Sequence, residues 1–185
     1  MNEIPAIQTQ RLLLRAFRLA DAEDVFAYAR NPNVLRYTTG RTHTVLAEAE
    51  KFVKGLIDKP SGAFAWAICL RNCPRVIGAV EFGIADGTRG GIDYALAEEH
   101  WNQGIMTEAA RAVLDWAFKT HPQLEFVTSS AMTVNGASIR VMEKCGMTFQ
   151  RHRRDKWEKF EEPVDLTEYA ISRETWNGQQ ADRTR

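Results

Sequence analysis

The stretch Ile92–Phe118, IDYALAEEHWNQGIMTEAARAVLDWAF, changes its period part-way along. In IDYALA (92–97), Ile92, Tyr94 and Leu96 alternate to one side, the pattern of a strand. From Thr107 the apolar positions are Ala110, Val113, Leu114, Ala117 and Phe118, the stripe of an amphipathic helix. Arg111, Asp115 and Lys119 stand four apart on its polar side, where they can pair. Gly104 sits where the polar turn gives way to the helix. A helix N-terminus leaves unpaired N–H groups and carries partial positive charge. A glycine just before it lets a bulky anion approach the backbone. The amides of Gln103 to Thr107 then form a phosphate cradle. The same glycine also fits a plain turn before a core helix. The extra glycines and the lysine of the Walker and dinucleotide-binding fingerprints are missing.

Upstream, TQRLLLRAF reads as a first strand. Asp21 is expected to cap a helix over roughly 22–30, which Asn31-Pro32-Asn33 stops. A second helix begins near Thr44, has Ala47, Phe52, Val53, Leu56 and Ile57 as its apolar face, and ends at Asp58-Lys59-Pro60. AFAWAICL (63–70) and VIGAVEFGI (76–84) form a hairpin around NCPR. DGTRGG (86–91) is expected to be a loop. Downstream, LEFVTSSAM (124–132) is a strand and NGASIRVMEKCG a short helix, with Asn135 at its start and Gly146 as its stop. MTFQRHRRDKW and VDLTEYAIS form a closing pair of strands. NGQQADRTR (177–185) reads as a polar, disordered tail. The order β, α, α, several strands, α, β, α, β, β implies a mixed α/β fold, one twisted sheet flanked by helices, in a single domain over 1–176.

Composition narrows the function classes. Lys+Arg and Asp+Glu both number 24, so no bulk charge gathers polyanions, and no direct nucleic-acid partner is expected. No apolar run reaches the length of a membrane span, and MNEIPAIQTQRLLLR lacks the make-up of a secretory signal. Three cysteines, Cys69, Cys73 and Cys145, make no framework, which suits a reducing cytoplasm. Cys69 and Cys73 have no matching Cys/His pair, so no metal is expected.

Four segments, in order, resemble the GNAT N-acetyltransferase superfamily, in its ribosomal-protein-acetyltransferase-like (RimJ/RimL-like) branch. TQRLLLRAFRLADAEDV is similar to that branch's opening Thr-x-Arg-Leu-x-Leu-Arg segment. IDYALAEEHWNQGIMTEA is similar to its central strand and pyrophosphate loop. NGASIRVMEKCGMTF and DLTEYAISRETW are similar to its Asn-x-x-Ser helix and closing strand. The resemblance covers about 170 residues. It implies the GNAT fold and acetyl-CoA as donor, with the pyrophosphate on Gln103, Gly104, Ile105, Met106 and Thr107. Asn135 and the backbone of Tyr94, Ala95 and Leu96 would meet the pantetheine arm. Tyr37, Thr38 and Thr39 fall in the region that lines the acceptor cleft in that family. Departures are Met106 in place of a small residue, Asp93 where a glycine is usual, Met147 for phenylalanine, and Met142 where many members carry a proton-donating tyrosine.

Acetyl transfer to an amine needs a neutral amine, a donor for the oxyanion and a proton for the leaving thiolate. The strand backbone can supply the donor. Ser138 is the candidate at the sulfur, or else a helix-start hydroxyl bonding the local backbone. Glu81, in the otherwise apolar GAVEFGI, is the candidate base, with Asp93 on the neighbouring strand toward the substrate. Either carboxylate equally fits a solvated strand face. His100 reads as a loop residue. Arg151, Arg153 and Arg154 read as a solvated edge, or as a dock for an acidic acceptor. The expected enzyme is a cytoplasmic acetyl-CoA-dependent N-acetyltransferase whose acceptor is a protein N-terminus or a small-molecule amine. A homodimer is compatible with it. The alternative is a non-catalytic acyl-CoA-binding module.

Overall fold

The computed structural model describes residues 3–183. Within them the chain forms β1 (Ile7–Gln8), β2 (Leu12–Ala16), α1 (Ala22–Ala29), α2 (Pro32–Leu35), α3 (Leu46–Ile57), β3 (Ala63–Leu70), β4 (Cys73–Ile84) and β5 (Arg89–Leu96). It continues through α4 (Ile105–Thr120), β6 (Phe126–Met132), α5 (Gly136–Lys144), β7 (Thr148–Asp155), β8 (Val164–Ser172) and α6 (Arg173–Arg183). The strands make one sheet in the order β1-β2-β3-β4-β5-β6-β8-β7. Every neighbouring pair is antiparallel except β5 and β6, which run parallel and are joined through α4. This is the mixed α/β architecture, with helices on both faces, that the order of elements implies.

Strand alternation sends large side chains to one face and small ones to the other. Trp66, Ile68, Val80, Phe82, Ile92 and Leu96 pack under α4, whose Val113, Leu114, Ala117 and Phe118 are fully or almost fully buried. Ala65, Ala67, Cys69 and Ala79 turn the opposite way and receive α1 and α3 through Val25, Ala29, Ala49 and Val53. The small residues let the two helices approach the sheet closely. Leu114 is fully buried at the centre of the larger core. Its truncation to alanine should cost about 2–5 kcal/mol. On the polar side of α4, Lys119 pairs with Asp115 at 2.6 Å, while Arg111 turns to the Lys144 carbonyl.

Several local expectations are corrected. Asn31-Pro32-Asn33 starts a helix rather than only stopping one: the Asn31 side chain accepts from the Asn33 N–H at 3.0 Å, and Pro32 takes the first helical position. Asp21 does not cap α1 with its side chain. Its carboxylate takes a two-pronged bond from Arg15, both arms 2.8 Å, and the Arg18 N–H at 2.8 Å. Residues 89–91 belong to β5, not to a loop. Gly90 lies where a Cβ would come within 2.7 Å of the Phe82 ring, so its lack of a side chain is a packing requirement.

The polar tail from 177 is helical as far as Arg183, with 184–185 outside the described residues. Trp176 anchors that helix, buried and stacked on Phe118 at 6.0 Å between ring centres. Arg173 binds the carbonyls of Phe118, His121 and Leu124 at the end of α4.

Candidate active site

The sheet opens between β5 and β6. These strands are in register only at Arg89–Phe126, Gly90–Val127 and Gly91–Thr128, whereas β4 and β5 stay paired over seven positions. Just past the last paired position, Ser129 Oγ donates to the Ile92 carbonyl at 2.9 Å. Beyond that point β5 presents an unpaired edge. The antiparallel ladder settles which residues face it. Ala97 N–H donates to the Ile77 carbonyl at 2.8 Å, so Ala95 and Asp93 also direct their backbone groups to β4. Tyr94 and Leu96 therefore direct theirs to the opening. The Leu96 carbonyl is already taken by the Trp101 indole N–H at 2.8 Å. Of the three residues expected to offer backbone to a ligand, Ala95 turns its backbone groups to β4 instead.

A cavity of about 390 Å³ fills this opening. Tyr94, Ala95 and Leu96 line one side; Asn135, Ala137 and Ser138 line the other. At its mouth stands the N-terminus of α4. Asn102 and Gly104 both take the left-handed conformation, with φ of 59° and 73°, and Gly104 is the helix N-cap with no side-chain cap. Glycine is needed there for backbone conformation as well as for approach. The first helical bond runs from Glu108 N–H to the Gly104 carbonyl at 3.0 Å, which leaves the amides of Ile105, Met106 and Thr107 without carbonyl partners inside the helix. The Met106 side chain is buried in the core, so the larger residue at that position does not obstruct the amides. Arg140 and Lys144, one turn apart on α5, add two cations to the lining.

The opposite wall is set by the start of α5. Asn135 caps it, its Oδ1 accepting from Ser138 N–H at 3.2 Å, which leaves the amide NH₂ as its donor toward the cavity. The Tyr94 hydroxyl donates to the Ser138 carbonyl at 3.2 Å and lies 3.1 Å from Ser138 Oγ. Burial pushes the Tyr94 phenol far above its usual range, against the opposing pull of the Ser138 contact, so the hydroxyl remains protonated. Met142 is buried in the core one turn further along α5.

A third wall comes from Asn33, Val34, Tyr37 and Thr38. Two loops hold this segment. Glu98, in the one-turn 3₁₀ helix Glu98–His100, accepts from the Asn31 amide and from Asn33 Nδ2 at 3.0 Å. Lys159, between β7 and β8, donates to the carbonyls of Leu35, Arg36 and Thr38 at 2.5, 3.4 and 3.5 Å. Burial, and then Arg41, lower the Lys159 pKa.

Glu81 and Asp93 are cross-strand partners on the α1/α3 side of the sheet, outside the cavity lining. Glu81 is ion-paired with Lys59 at 2.7 Å. Asp93 makes no salt bridge among the described residues. Its side chain is open to solvent yet recessed among protein atoms. That partial dehydration, and then Glu81, raise its carboxyl above the usual range, while Lys59 opposes. Gln103 is also outside the lining, though its peptide borders the cradle. His100 lies in the lining at the end of the 3₁₀ turn.

The basic run on β7 is balanced charge for charge. Arg151 pairs with Glu168 at 3.2 Å, Arg153 with Asp155 at 2.8 Å and Arg154 with Asp165 at 3.0 Å. It offers no net field to an acidic acceptor. Sequence reasoning passed over Trp101, Asn33, Val34, Arg140 and Lys144. Of these only Arg140 and Lys144 carry a readable signal, two cations four apart on a helix that begins at the candidate Asn135.

The sequence profile of the acetyltransferase (GNAT) domain family matches residues 11–148. YnaD of Bacillus subtilis (strain 168), named an uncharacterized N-acetyltransferase, is 30% identical over 174 residues, covering 92% of this chain and 99% of the relative. Among solved structures, RimL, a ribosomal α-N-protein acetyltransferase in complex with coenzyme A, superposes with a TM-score of 0.78 at 20% identity over 91% of this chain and 98% of its own. Spermidine N-acetyltransferase from Vibrio cholerae, in complex with CoA and spermine, gives 0.75 at 18% over 91% and 99%.

Proposed function

Because the chain belongs to the GNAT acetyltransferase family, we propose that it moves the acetyl group of acetyl-CoA directly onto a primary amine held against the Tyr37–Thr38 wall of the cavity. The protein is an acetyl-CoA-dependent N-acetyltransferase. Catalysis, rather than cofactor sensing alone, is therefore the activity to explain. Acetyl-CoA supplies the acyl group as an activated thioester. The residues present suit it: uncapped amides at Ile105, Met106 and Thr107 for the pyrophosphate, and Arg140 and Lys144 for further negative charge. The open edge at Tyr94 and Leu96 suits an amide-bearing chain, which it can pair as a strand would.

Each chemical need then has a residue. The N–H groups of Tyr94 and Leu96 stand about 7 Å apart on the open edge, so one of them is the donor to the oxygen that gains charge during attack and the other is left to the bound chain. Asp93 takes the proton from the incoming ammonium. It shares a strand face with Ala95, which lines the cavity, and stands about 7 Å along the strand from it, a gap that a pair of hydrogen-bonded waters spans. Asp93 suits the role better than Glu81, which would have to give up its bond to Lys59. The Ser138 hydroxyl, beside Tyr94, returns a proton to the thiolate.

The observation that carries this reading is the opening between β5 and β6 with the uncapped start of α4 at its mouth. The two ligand-bound neighbours carry names that point to different acceptors, a ribosomal protein's α-amine and spermidine. A protein N-terminus and a polyamine-type amine are accordingly the two classes to try. The test is incubation of acetyl-CoA with N-terminal peptides and with small amines, reading free thiol and product mass. Acetylated amine together with thiol supports the reading. Thiol release without any acetylated amine would count against it.

A further inference from the structure

We infer that Arg11 is a positioning residue of the phosphate cradle: it fixes the Gln103–Gly104 peptide with its N–H turned toward the cavity and cancels a carboxylate that would repel the bound anion. This rests on the cofactor reading above. Arg11 opens β2's turn, far in sequence from the loop it touches. Its Nη1 donates to the Gln103 carbonyl at 2.9 Å. Its Nε donates to Glu108 Oε2 at 2.6 Å, and its backbone N–H to Glu108 Oε1 at 2.9 Å. Thr9 Oγ1 completes the set, donating to Glu108 Oε1 at 2.5 Å. Two residues of the opening segment thus grip the first turn of α4.

The geometry dictates what this grip does. Peptide bonds in the described chain are all trans, so the carbonyl of residue 103 and the N–H of residue 104 point in opposite directions. Arg11 lies outside the cavity lining, while Gly104 is part of it. A carbonyl held toward Arg11 therefore turns the Gly104 N–H to the cavity side. The guanidinium packs directly beside Gly104, with Nη2 3.5 Å from where a Cβ would stand. A Cβ at 104 would make ordinary contact with it, so an alanine would strain only the backbone, whereas a branched or longer side chain would also crowd the guanidinium.

Charge gives the second role. Glu108 lies in the first turn of α4, where a carboxylate steadies the helix but competes with a phosphate for the same positive end. Partial burial pushes its pKa up, but bonds from Thr9 and Arg11 and the charge of Arg11 outweigh that and hold it below the usual carboxylate range. It is ionised, and Arg11 neutralises it at contact. The Arg11 side chain keeps 44% of its exposure and that of Glu108 20%, so the pair borders the solvent through which the anion arrives.

The experiment is calorimetric titration of coenzyme A into the wild type and into Arg11→Met, Glu108→Gln and the double variant, at low and high salt, with melting temperatures for each. Arg11→Met is expected to weaken binding about tenfold or more and to raise the Michaelis constant for acetyl-CoA, with kcat within twofold. The double variant should bind more tightly than Arg11→Met at low salt, and the gap should close at high salt. Arg11→Lys keeps the charge but cannot span both partners, and should weaken binding severalfold; it serves if the methionine variant fails to fold. Wild-type affinity in both Arg11 variants, whatever their melting temperatures, overturns the inference. Failure of the wild type itself to bind coenzyme A would instead overturn the cofactor reading beneath it.

Discussion

The Tyr94 hydroxyl stands 3.1 Å from Ser138 Oγ and 3.2 Å from the Ser138 carbonyl, so a strand residue and a helix residue meet across the cavity. The phenol is held protonated by burial, which makes it a donor and an anchor but a poor base. Ser138→Ala should lower kcat about tenfold while leaving the Michaelis constant for acetyl-CoA within twofold. Tyr94→Phe keeps the ring and removes the anchor, and should give a smaller loss in the same parameter. Steady-state kinetics decide the matter. A change confined to the Michaelis constant would make Ser138 a binding group.

Asp93 ties activity and stability together with opposite signs. Its carboxyl is raised in the folded protein, so between the ordinary carboxylate value and that raised value the folded state holds more protons than the unfolded one. Stability contributed by this group is therefore present at low pH and falls as pH rises through the window. Asp93→Asn should raise the melting temperature near neutral pH and lower the rate of acetylation. The rate that climbs with pH in the wild type should lose the Asp93 contribution in the variant. A variant both less stable and fully active would remove Asp93 from the chemistry.

Gly104 has a φ of 73°, which costs a non-glycine residue about 1–2 kcal/mol. Gly104→Val adds branching beside the Arg11 guanidinium. We expect a protein that still folds, with a modestly lower melting temperature and no thermal stabilisation by acetyl-CoA. A thermal-shift titration measures both quantities, and retained stabilisation would contradict the cradle.

Lys159 bridges the β7–β8 loop to the wall that carries Tyr37 and Thr38. Lys159→Met should raise the Michaelis constant for the amine severalfold and leave that for acetyl-CoA unchanged. The charge-balanced run at Arg151, Arg153 and Arg154 should behave differently, and its triple neutralisation should leave the Michaelis constant for the acceptor unchanged at low and at high salt. The reverse pattern would move acceptor recognition to the β7 edge.

What could be read from the sequence followed from period and from turn chemistry. The α4 stripe and the glycine before it were legible because a helical period begins at a recognisable break. The Glu98 and Lys159 clasps were not, because they join positions 67 and 124 residues or so apart in sequence. The same holds for Arg11 and Glu108, separated by 97. The Gly-rich start of β5 was read as a loop because composition does not reveal that Phe82 lies against Gly90. α6 was missed because its polar residues give little periodic signal, and one buried tryptophan with one arginine at its start docks it. Glu81 and Asp93 were legible as carboxylates within a sheet. Their facing register, and the lysine that holds only one of them, became visible only in three dimensions.

The most direct test of the central claim is a titration of isotopically labelled protein with coenzyme A, followed through backbone amide resonances. The account predicts saturable shifts concentrated at Gly104, Ile105, Met106 and Thr107 and at the open edge of Tyr94 and Leu96, with the β7 residues Thr148–Asp155 unmoved. Saturable binding that leaves those six amides in place and shifts another region would contradict it.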